Sequence, residues 1–349
     1  MRVRVFLVIF SCIVSVVTGL VISRNHSASR AETVRRDVVI GFSLDTLKEE
    51  RWQHDRDFFV ARAQGLGAEV LVQAANSDDT RQMQDVQALI SRKVDVLVIV
   101  PHNGAAMAKA VALAHDADIP VIAYDRLITD SDLDLYISFD AVKVGALQAQ
   151  YLIDRFKAKS GKKRIVRIHG AKTDHNAVLF KQGQDSVLAP YIKDGRIDVI
   201  HEDWAENWKP ENAKKIANAA ITRFGADFDA ILAANDGTAG GAIQALMEEG
   251  VAGDILVTGQ DAELAACQRI MQGTQSMTIY KPLERLASQA AETAVLMAKG
   301  RPVIASQVTD NGRKAVPSML VDVVVATKDN MEATVVKDGF HPRQALIPR

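Results

Sequence analysis

The chain has 349 residues with 48% hydrophobic and 24% charged side chains, which is ordinary for a globular protein and long enough for two domains. Its net charge is −1, but residues 1–31 hold four arginines and no acid, so the rest of the chain carries 38 basic against 43 acidic residues. A mildly acidic body argues against nucleic acid as a partner. The only cysteines are Cys12 and Cys267, so beyond residue 31 one thiol remains and no internal disulfide can form.

The N-terminal segment has the pattern of an export signal. Arg2 and Arg4 precede the nineteen uncharged residues of Val5–Ser23, and Ser29-Arg30-Ala31 offers small residues at the positions that a signal peptidase reads. The apolar stretch is also long enough to span a membrane. We therefore expect residues 1–31 to be a cleaved signal peptide or a retained membrane anchor, and the body of the protein to be periplasmic or otherwise extracytoplasmic.

From residue 37 onward, continuous apolar runs alternate with helical patterns in two series. The first series has strands at Val38–Phe42, Glu69–Val72, Val94–Val100 and Val121–Tyr124, with helices at Arg51–Leu66, Arg81–Ser91 and Ala105–His115. The second follows Tyr136–Phe139, with helices at Val144–Phe156, Ala177–Leu188, Asn212–Arg223 and Ala239–Glu249 and strands at Ile165–His169, Val199–His201, Ala230–Ala233 and Ile255–Thr258. Next come Leu264–Met271, the strand Ser276–Tyr280, the helix Leu283–Lys299 and a late apolar run, Met319–Ala326.

Alternating strands and helices predict right-handed βαβ units with parallel strands buried on both faces. Two series predict an α/β protein of two similar lobes, each with a parallel sheet flanked by helices, joined by hinges. We expect residues 37–140 with 282–312 to form the N-terminal lobe, 141–281 with 313–340 the C-terminal lobe, and 341–349 a tail. The alternative is a single larger sheet with an appendage.

Three predicted strands end at pairs of hydrogen-bonding residues: Asp125-Arg126, Asn235-Asp236 and Gln260-Asp261. In open α/β sheets a ligand binds beyond the carboxyl ends of the strands, so these pairs lie where a ligand would be held. They offer amides, carboxylates and a guanidinium, and no nucleophile. That inventory suits a neutral polyhydroxylated ligand better than it suits catalysis.

Signatures of nucleotide binding are missing from the sequence. The turn after the first strand, Lys48-Glu-Glu-Arg51-Trp52, has no glycine, and its two acids repel phosphate. The later cluster Gly237-Thr-Ala-Gly240-Gly241 lacks the spacing of a phosphate loop and instead predicts the close approach of a helix to a strand.

Signatures of catalysis are also missing, because no HExxH, paired-cysteine or nucleophile-elbow motif occurs. Asp125 and Asp261 remain an alternative as a glycosidase pair. One carboxyl of such a pair must stay protonated, whereas Arg126 beside Asp125 favours the ionised form. We therefore expect no enzyme activity, no cofactor and no metal ion.

A sugar hydroxyl both donates and accepts a hydrogen bond, so its site needs acceptor-only carboxylates together with donor-only cations. Asparagine amides serve in either role, and a tryptophan covers the apolar face of a pyranose. Burial in the core explains Trp52 equally well, whereas the polar run Glu206-Asn-Trp-Lys-Pro210 makes Trp208 less easily a core residue. The candidate residues are Arg51, Trp52, Asp125, Arg126, Asn176, Trp208, Asn235, Asp261 and Lys281.

Seven segments of the chain carry a resemblance to a known family. They are Glu50-Arg-Trp-Gln-His-Asp-Arg56, Val94-Asp-Val-Leu-Val-Ile-Val-Pro101, Ala123-Tyr-Asp-Arg126, Tyr136-Ile-Ser-Phe-Asp140, Asn235-Asp236 with Gly240-Gly-Ala-Ile-Gln-Ala-Leu246, Gly259-Gln-Asp-Ala262 and Thr278-Ile-Tyr-Lys-Pro282. From about Val38 to Phe340 the chain resembles the periplasmic D-xylose-binding proteins of ABC import systems, a ribose-type family. The resemblance implies a type I periplasmic-binding fold that closes on one sugar and catalyses no reaction.

The resemblance also implies roles for the candidate residues. Arg51, Trp52, Asp125 and Arg126 would line the cleft from the first lobe, and Asn176, Trp208, Asn235, Asp261 and Lys281 would line it from the second lobe and the hinge. His175 departs from the pattern, which has a second asparagine there, so the resemblance does not fix the sugar selectivity at that end.

The sequence thus predicts an exported, monomeric solute-binding protein that captures a pentopyranose, D-xylose before related aldoses, and delivers it to a membrane ABC permease. The alternative is a sensor module, held by an uncleaved Val5–Ser23 helix, that reports sugar to a kinase or chemoreceptor. A sugar-responsive repressor would need a helix-turn-helix before residue 37, where the apolar leader stands instead.

Overall fold

The computed structural model describes residues 38–157, 161–305 and 307–347. The predicted leader, residues 1–31, lies outside the described residues. Within these three ranges, no helix combines the length and the apolar character that crossing a membrane requires.

Strands and helices alternate along most of this part of the chain. The strands are β1 (Val38–Leu44), β2 (Ala68–Ala74), β3 (Val96–Ile99), β4 (Val121–Tyr124), β5 (Leu135–Phe139), β6 (Lys163–His169), β7 (Ile197–Trp204), β8 (Ala230–Ala233), β9 (Leu256–Val257), β10 (Thr278–Tyr280), β11 (Gln307–Asp310), β12 (Ala315–Val321) and β13 (Val324–Ala326). The α-helices are α1 (Glu50–Gly65), α2 (Asp79–Ser91), α3 (Ala108–His115), α4 (Ala141–Phe156), α5 (His175–Lys193), α6 (Pro210–Phe224), α7 (Asp236–Glu248), α8 (Leu264–Gln272) and α9 (Leu283–Ala298). Single helical turns lie at Glu206–Trp208, Glu332–Val336 and Arg343–Leu346.

The strands form two main sheets, as the two series predicted. The first has seven strands in the order β11-β12-β5-β4-β3-β1-β2, and its neighbours are parallel except for the antiparallel pair β11 and β12. The second has four parallel strands in the order β7-β6-β8-β9, and β10 pairs with β13 in an antiparallel ribbon. The alternative of a single larger sheet is therefore wrong.

Strand β12 corrects the expected lobe boundary at residue 313. It pairs with β5 in the first sheet, so the late apolar run Met319–Ala326 is divided between β12 and β13. A tight turn at Asn311-Gly312 joins β11 and β12 as a hairpin, which holds both strands in one sheet. The remaining lobe bounds stay a prediction.

Strand β3 shows how the first sheet is buried on both faces. Val96 and Val98 contribute to the hydrophobic cluster on one face, and Leu97 and Ile99 contribute to the cluster on the other. All four side chains are fully buried, which is why the strand is a continuous apolar run. This packing fixes the position of the strand ends from which the candidate site is built.

Glycines let neighbouring helices approach closely beside the second sheet. A Cβ atom on Gly183 of α5 would lie 2.0 Å from the carbonyl oxygen of Val142 in α4. A Cβ atom on Gly241 of α7 would lie 2.0 Å from the carbonyl oxygen of Pro210, the first residue of α6. The glycine cluster at the start of α7 therefore accommodates another helix, and the predicted approach to a strand is wrong.

Candidate functional site

All nine candidate residues line one cavity between the carboxyl ends of the two parallel sheets. Four residues outside the nine candidates complete the lining: Glu49, Asp174, Phe180 and Gln260. The space between these side chains is small, with about 30 Å³ free for the centres of water-sized molecules. The structure thus brings the candidates together, and their contact with a ligand stays a prediction.

Arg51 is the charged centre of the cavity. It lies in the first turn of α1 and is 5% exposed. Its Nη2 atom is 2.7 Å from a carboxylate oxygen of Asp125 and 3.1 Å from one of Asp55, and its Nη1 atom is 3.4 Å from Asp261. Lys281 approaches the same Asp261 oxygen at 3.1 Å. The Arg51 guanidinium therefore joins Asp125, which follows a strand of the first sheet, to Asp261, which follows a strand of the second.

Asp125 has the electrostatics of a permanently ionised acceptor. Burial favours its neutral form, but Arg51 and Lys281 together outweigh burial and lower the pKa of Asp125. A glycosidase acid needs a raised pKa. The geometry therefore disfavours the glycosidase alternative. The residue that lowers the pKa of Asp125 most is Arg51 and not, as expected, Arg126.

Most of the hydrogen-bond donors of Arg126 are paired within the protein. Its Nη1 atom donates to Asp45 at 2.6 Å and to the carbonyl oxygen of Pro101 at 3.2 Å, and its Nε atom is 2.9 Å from Asp174. Asp174 also caps α5 by accepting from the backbone N–H of Asn176. Among the described residues, the Nη2 atom of Arg126 has no hydrogen-bond partner, so it is the atom left for a ligand.

The two candidate asparagines occupy different surroundings. Asn176 donates from Nδ2 to the carbonyl oxygen of Asp125 at 2.9 Å and accepts from the Tyr136 hydroxyl at 3.2 Å. Asn235 is the N-cap of α7, and its Oδ1 atom accepts from the backbone N–H and the hydroxyl of Thr238 at 2.9 and 2.8 Å. The cap leaves Nδ2 of Asn235 as the group that a ligand would meet.

Asp236, the second member of the predicted pair Asn235-Asp236, is not among the residues that line the cavity. Asn235 caps the helix, whereas Asp236 is fully buried and accepts from Gln275 at 2.7 Å, from the Thr278 hydroxyl at 2.9 Å and from the backbone N–H of Glu263 at 3.0 Å. It ties the loops after β8 and β9 to β10. Burial raises the pKa of Asp236 to about 7.

Both tryptophans line the cavity and are packed into the hydrophobic core. The guanidinium carbons of Arg51 and Arg126 lie 4.1 and 5.1 Å from the ring centroid of Trp52, within cation–π range. Trp208 presses on the backbone of Gly170, where a Cβ atom would lie 2.0 Å from the indole. Each of these two tryptophans is therefore both a core residue and part of the cavity wall.

Three residues of the cavity wall have a strained backbone conformation. Asp125, Trp208 and Asp261 have φ angles of 62, 57 and 97°, in the left-handed region that non-glycine residues rarely adopt. Each such conformation costs on the order of 1–3 kcal/mol and persists where the surrounding structure holds it in place. In this chain it orients the carboxylates that follow β4 and β9 and the indole in the turn that follows β7.

Three polar atoms in the cavity wall are buried without a hydrogen-bond partner among the described residues. They are Oε2 of Glu49, Oε1 of Gln260 and Nε1 of Trp208. Buried polar atoms are nearly always paired, so these atoms indicate where a polar ligand would be held. The sequence placed Gln260 at a strand end and Glu49 in the turn before α1, but gave neither a binding role.

His175, the departure from the expected asparagine, is the first residue of α5. It is half-buried, and burial lowers its pKa. It is not among the residues that line the cavity.

Comparisons with known proteins agree with this architecture. Residues 40–302 match the family described as periplasmic binding protein domain. The chain is 46% identical over 311 residues to the D-xylose-binding periplasmic protein of Escherichia coli (strain K12), covering 89% of this chain and 93% of that protein. It is 44% identical over 311 residues to the D-xylose-binding periplasmic protein of Haemophilus influenzae, covering 89% of this chain and 92% of that protein.

Solved structures of sugar-binding proteins have a similar fold. A carbohydrate transporter solute-binding protein from Chloroflexus aurantiacus, in complex with D-glucose, superposes with a TM-score of 0.82 at 33% identity and covers 89% of this chain and 98% of its own. An ABC transporter solute-binding protein from Clostridium phytofermentans with β-D-glucose has a TM-score of 0.81 at 30% identity, covering 88% and 99%. These neighbours confirm the predicted type I periplasmic-binding fold.

Proposed function

We propose that this chain, which belongs to the periplasmic binding protein domain family, is an exported solute-binding protein that captures D-xylose and delivers it to an ABC permease. The observation that carries the proposal is the cavity between the two sheets, where the nine candidate residues converge and where three buried polar atoms have no hydrogen-bond partner in the described part of the chain. Relatives named as D-xylose-binding periplasmic proteins, at 46 and 44% identity, support this choice of sugar.

The charges in the cavity favour a neutral ligand. The lining has four carboxylates, on Glu49, Asp125, Asp174 and Asp261, and three cations, on Arg51, Arg126 and Lys281. A net charge of −1 repels an anion, while hydroxyls can donate to the carboxylates and accept from the cations. Hydrogen bonds to charged groups are worth about 1.5–3 kcal/mol each, so a few of them hold a small sugar.

The lobes are proposed to close on the sugar. Arg51 with Asp261, and Arg126 with Asp174, pair residues that follow strands of different sheets, so the same charges that hold a ligand also join the lobes. The chain crosses between the sheets near Asp140, near Lys281 and at residues 322–323, where β12 leads into β13; these are the proposed hinges. Small-angle scattering should show a smaller radius of gyration with xylose and the mass of a monomer.

The protein is proposed to bind its sugar without catalysing a reaction. Cys267, the thiol of the described part, is buried, and burial raises its pKa, which makes it a poor nucleophile. In the described ranges, no group of three or more histidines, cysteines and acids is placed to hold a metal ion.

A sensor module is the second candidate function, because the uncharged stretch Val5–Ser23 is long enough to serve as an anchor. The mass of the chain after secretion separates the two. A mature protein that has lost residues 1–31 supports the transport component, and a full-length protein in the membrane fraction supports the sensor.

Calorimetry with D-xylose tests the proposed function directly. We expect one site with a micromolar or lower dissociation constant, equivalent to about −8 kcal/mol. At 100 times that constant, the sugar adds about 2.7 kcal/mol to the free energy of unfolding, so the melting temperature should rise. An unchanged melting temperature at millimolar xylose would contradict the proposal.

A further inference from the structure

Two buried glutamines form a chain of hydrogen bonds beside the second sheet. Gln148 of α4 and Gln184 of α5 are fully buried, and neither is among the residues that line the cavity. Nε2 of Gln184 donates to Oε1 of Gln148 at 3.0 Å. Nε2 of Gln148 donates in turn to two backbone carbonyl oxygens, that of Ala234 at 3.0 Å and that of Gly259 at 3.1 Å. One side-chain amide therefore holds the segments that follow β8 and β9.

The two carbonyl groups belong to peptide units that lead into the cavity wall. The carbonyl of Ala234 shares a rigid peptide plane with the backbone nitrogen of Asn235. The carbonyl of Gly259 shares one with the backbone nitrogen of Gln260, and Asp261 follows. All three of these side chains line the cavity. The amide that holds both carbonyls therefore fixes the spacing between Asn235 and Asp261.

The direction of the hydrogen bonds is fixed at both ends of the chain. Arg167 of β6 is 2% exposed and donates from Nη2 to Oε1 of Gln184 at 2.9 Å. Its Nη1 atom donates to the Asp185 carboxylate at 2.7 Å, which holds the guanidinium in place. A guanidinium can only donate and a backbone carbonyl can only accept, so the two amides between them have one orientation that pairs every group. The donor nitrogen of Gln148 is therefore directed at the two carbonyls.

Asp236 ties the same loops in a different way. Its carboxylate accepts from Gln275, from Thr278 and from the backbone N–H of Glu263, none of which lines the cavity. Gln148 instead holds the peptide units that carry lining residues. The two buried side chains therefore allow a role in stability to be separated from a role in binding.

We propose that Gln148, oriented by Gln184 and Arg167, is a positioning residue that sets the affinity for D-xylose through Asn235 and Asp261 without touching the sugar. The inference rests on the proposed function. Asp261 has a φ angle of 97°, a conformation that persists only where the surrounding structure holds it. A polar site requires its side chains within about 0.5 Å of the productive geometry, and supporting hydrogen bonds provide this precision.

Gln148→Met tests the role, because it keeps the length of the side chain and removes both donors. Calorimetry should show D-xylose binding weakened about threefold to tenfold, as for the loss of a neutral hydrogen bond. Gln150→Met is the matched control, since it makes the same exchange on α4 where the amide donates to Asp154 at an exposed position, and its affinity should be unchanged. An affinity of Gln148→Met equal to that of the wild type would overturn the proposal.

Asp236→Ala is the control for a purely structural role. It should lower the free energy of unfolding in urea and leave the affinity nearly unchanged, whereas Gln148→Met should lower both. An equal loss of affinity in the two variants would mean that any loosening of these loops weakens binding, and would overturn the specific role of Gln148.

A double-mutant cycle tests whether Gln148 acts through Asn235. Asn235→Ser keeps a residue that can cap α7 and removes the amide nitrogen. In that background Gln148→Met should weaken binding only about twofold, because interacting positions are not additive. In the background of Arg126→Lys, whose hydrogen bonds reach neither loop, it should cost the full factor. The same factor in both backgrounds would overturn the proposal.

Gln184→Glu tests the orientation of the amides and is the milder variant should Gln148→Met fail to fold. Arg167 keeps its partner and holds the new carboxylate ionised, but Oε1 of Gln148 loses its donor. The Gln148 amide then turns to donate to the carboxylate, which places its oxygen against two carbonyl oxygens. D-Xylose binding should weaken as in Gln148→Met, with no further loss when the two are combined. Unchanged affinity in Gln184→Glu would overturn the proposal.

The wild-type protein separates this inference from the proposed function. If it binds D-xylose and the glutamine variants bind equally well, the positioning role alone fails. If it does not bind D-xylose, the proposed function fails and the positioning role fails with it.

Discussion

Asp55 is buried beneath Arg51 in a cluster with more negative than positive charge. Its carboxylate accepts from Nε and Nη2 of Arg51 at 3.2 and 3.1 Å and from the Tyr124 hydroxyl, and it is fully buried. Around the guanidinium stand the carboxylates of Asp55, Asp125 and Asp261, with Lys281 as the other cation. Asp55→Asn would leave two negative and two positive charges.

The substitution imitates the protonated carboxyl. The amide oxygen of asparagine can accept from Arg51, and the amide nitrogen can donate to the Tyr124 hydroxyl oxygen, as the carboxyl O–H does when Asp55 is protonated. In both cases the Tyr124 hydroxyl loses the acceptor that it has on ionised Asp55, so the variant should resemble the wild type at low pH.

The sign and size of the change in the free energy of unfolding follow from the pKa of Asp55. Burial raises the pKa of Asp55 to about 6, against about 3.9 in an unfolded chain. Between these values the folded protein binds the proton more tightly, so ionisation of Asp55 lowers the free energy of unfolding as pH rises from about 4 to above 6. The full loss, present above pH 6, is about 3 kcal/mol, and Asp55→Asn should recover much of it.

Urea unfolding of the sugar-free protein between pH 4.5 and 8 measures this difference. The stability of the variant relative to the wild type should rise by about 2 kcal/mol between pH 4.5 and pH 8, because about 1 kcal/mol of the wild-type loss is already present at pH 4.5. Asp57→Asn, an exposed position on the same helix, is the control and should follow the wild-type profile. A variant whose stability depends on pH in the same way as that of the wild type would refute the reasoning.

Four further substitutions test the site and the fold. Asp125→Ala should weaken xylose binding tenfold or more by calorimetry, whereas Asp236→Ala should mainly lower stability in urea, because its carboxylate ties loops together outside the cavity lining. Trp208→Ala should lower both affinity and stability, the latter by about 3–5 kcal/mol, and normal binding would assign the residue to the core alone. Gly183→Ala should cost about 1–3 kcal/mol in thermal unfolding with unchanged affinity, since its Cβ atom would lie 2.0 Å from the Val142 carbonyl oxygen.

The central strands of both sheets were predictable, because a strand that is buried on both faces is a continuous apolar run in the sequence. The strands Val121–Tyr124 and Ala230–Ala233 have the predicted bounds, whereas the run Val94–Val100 shortens to Val96–Ile99. The edge strand Gln307–Asp310 escaped prediction because its side chains are mostly exposed and lack an apolar pattern. Missing it also misplaced β12, which the hairpin holds in the first sheet.

The site was predictable where its residues end strands and unpredictable where tertiary contacts define them. Asp125 and Asp261 follow apolar runs, so their place at the sheet edges could be derived from the sequence. Asp55 stands one helical turn from Arg51, a spacing that indicates an ion pair, but its deep burial depends on Tyr124 from a strand about 70 residues away. His102 shows the same limit, because only the folded chain places it in the lining of the same small space as Glu49, and no single segment of the sequence indicates that the two share it.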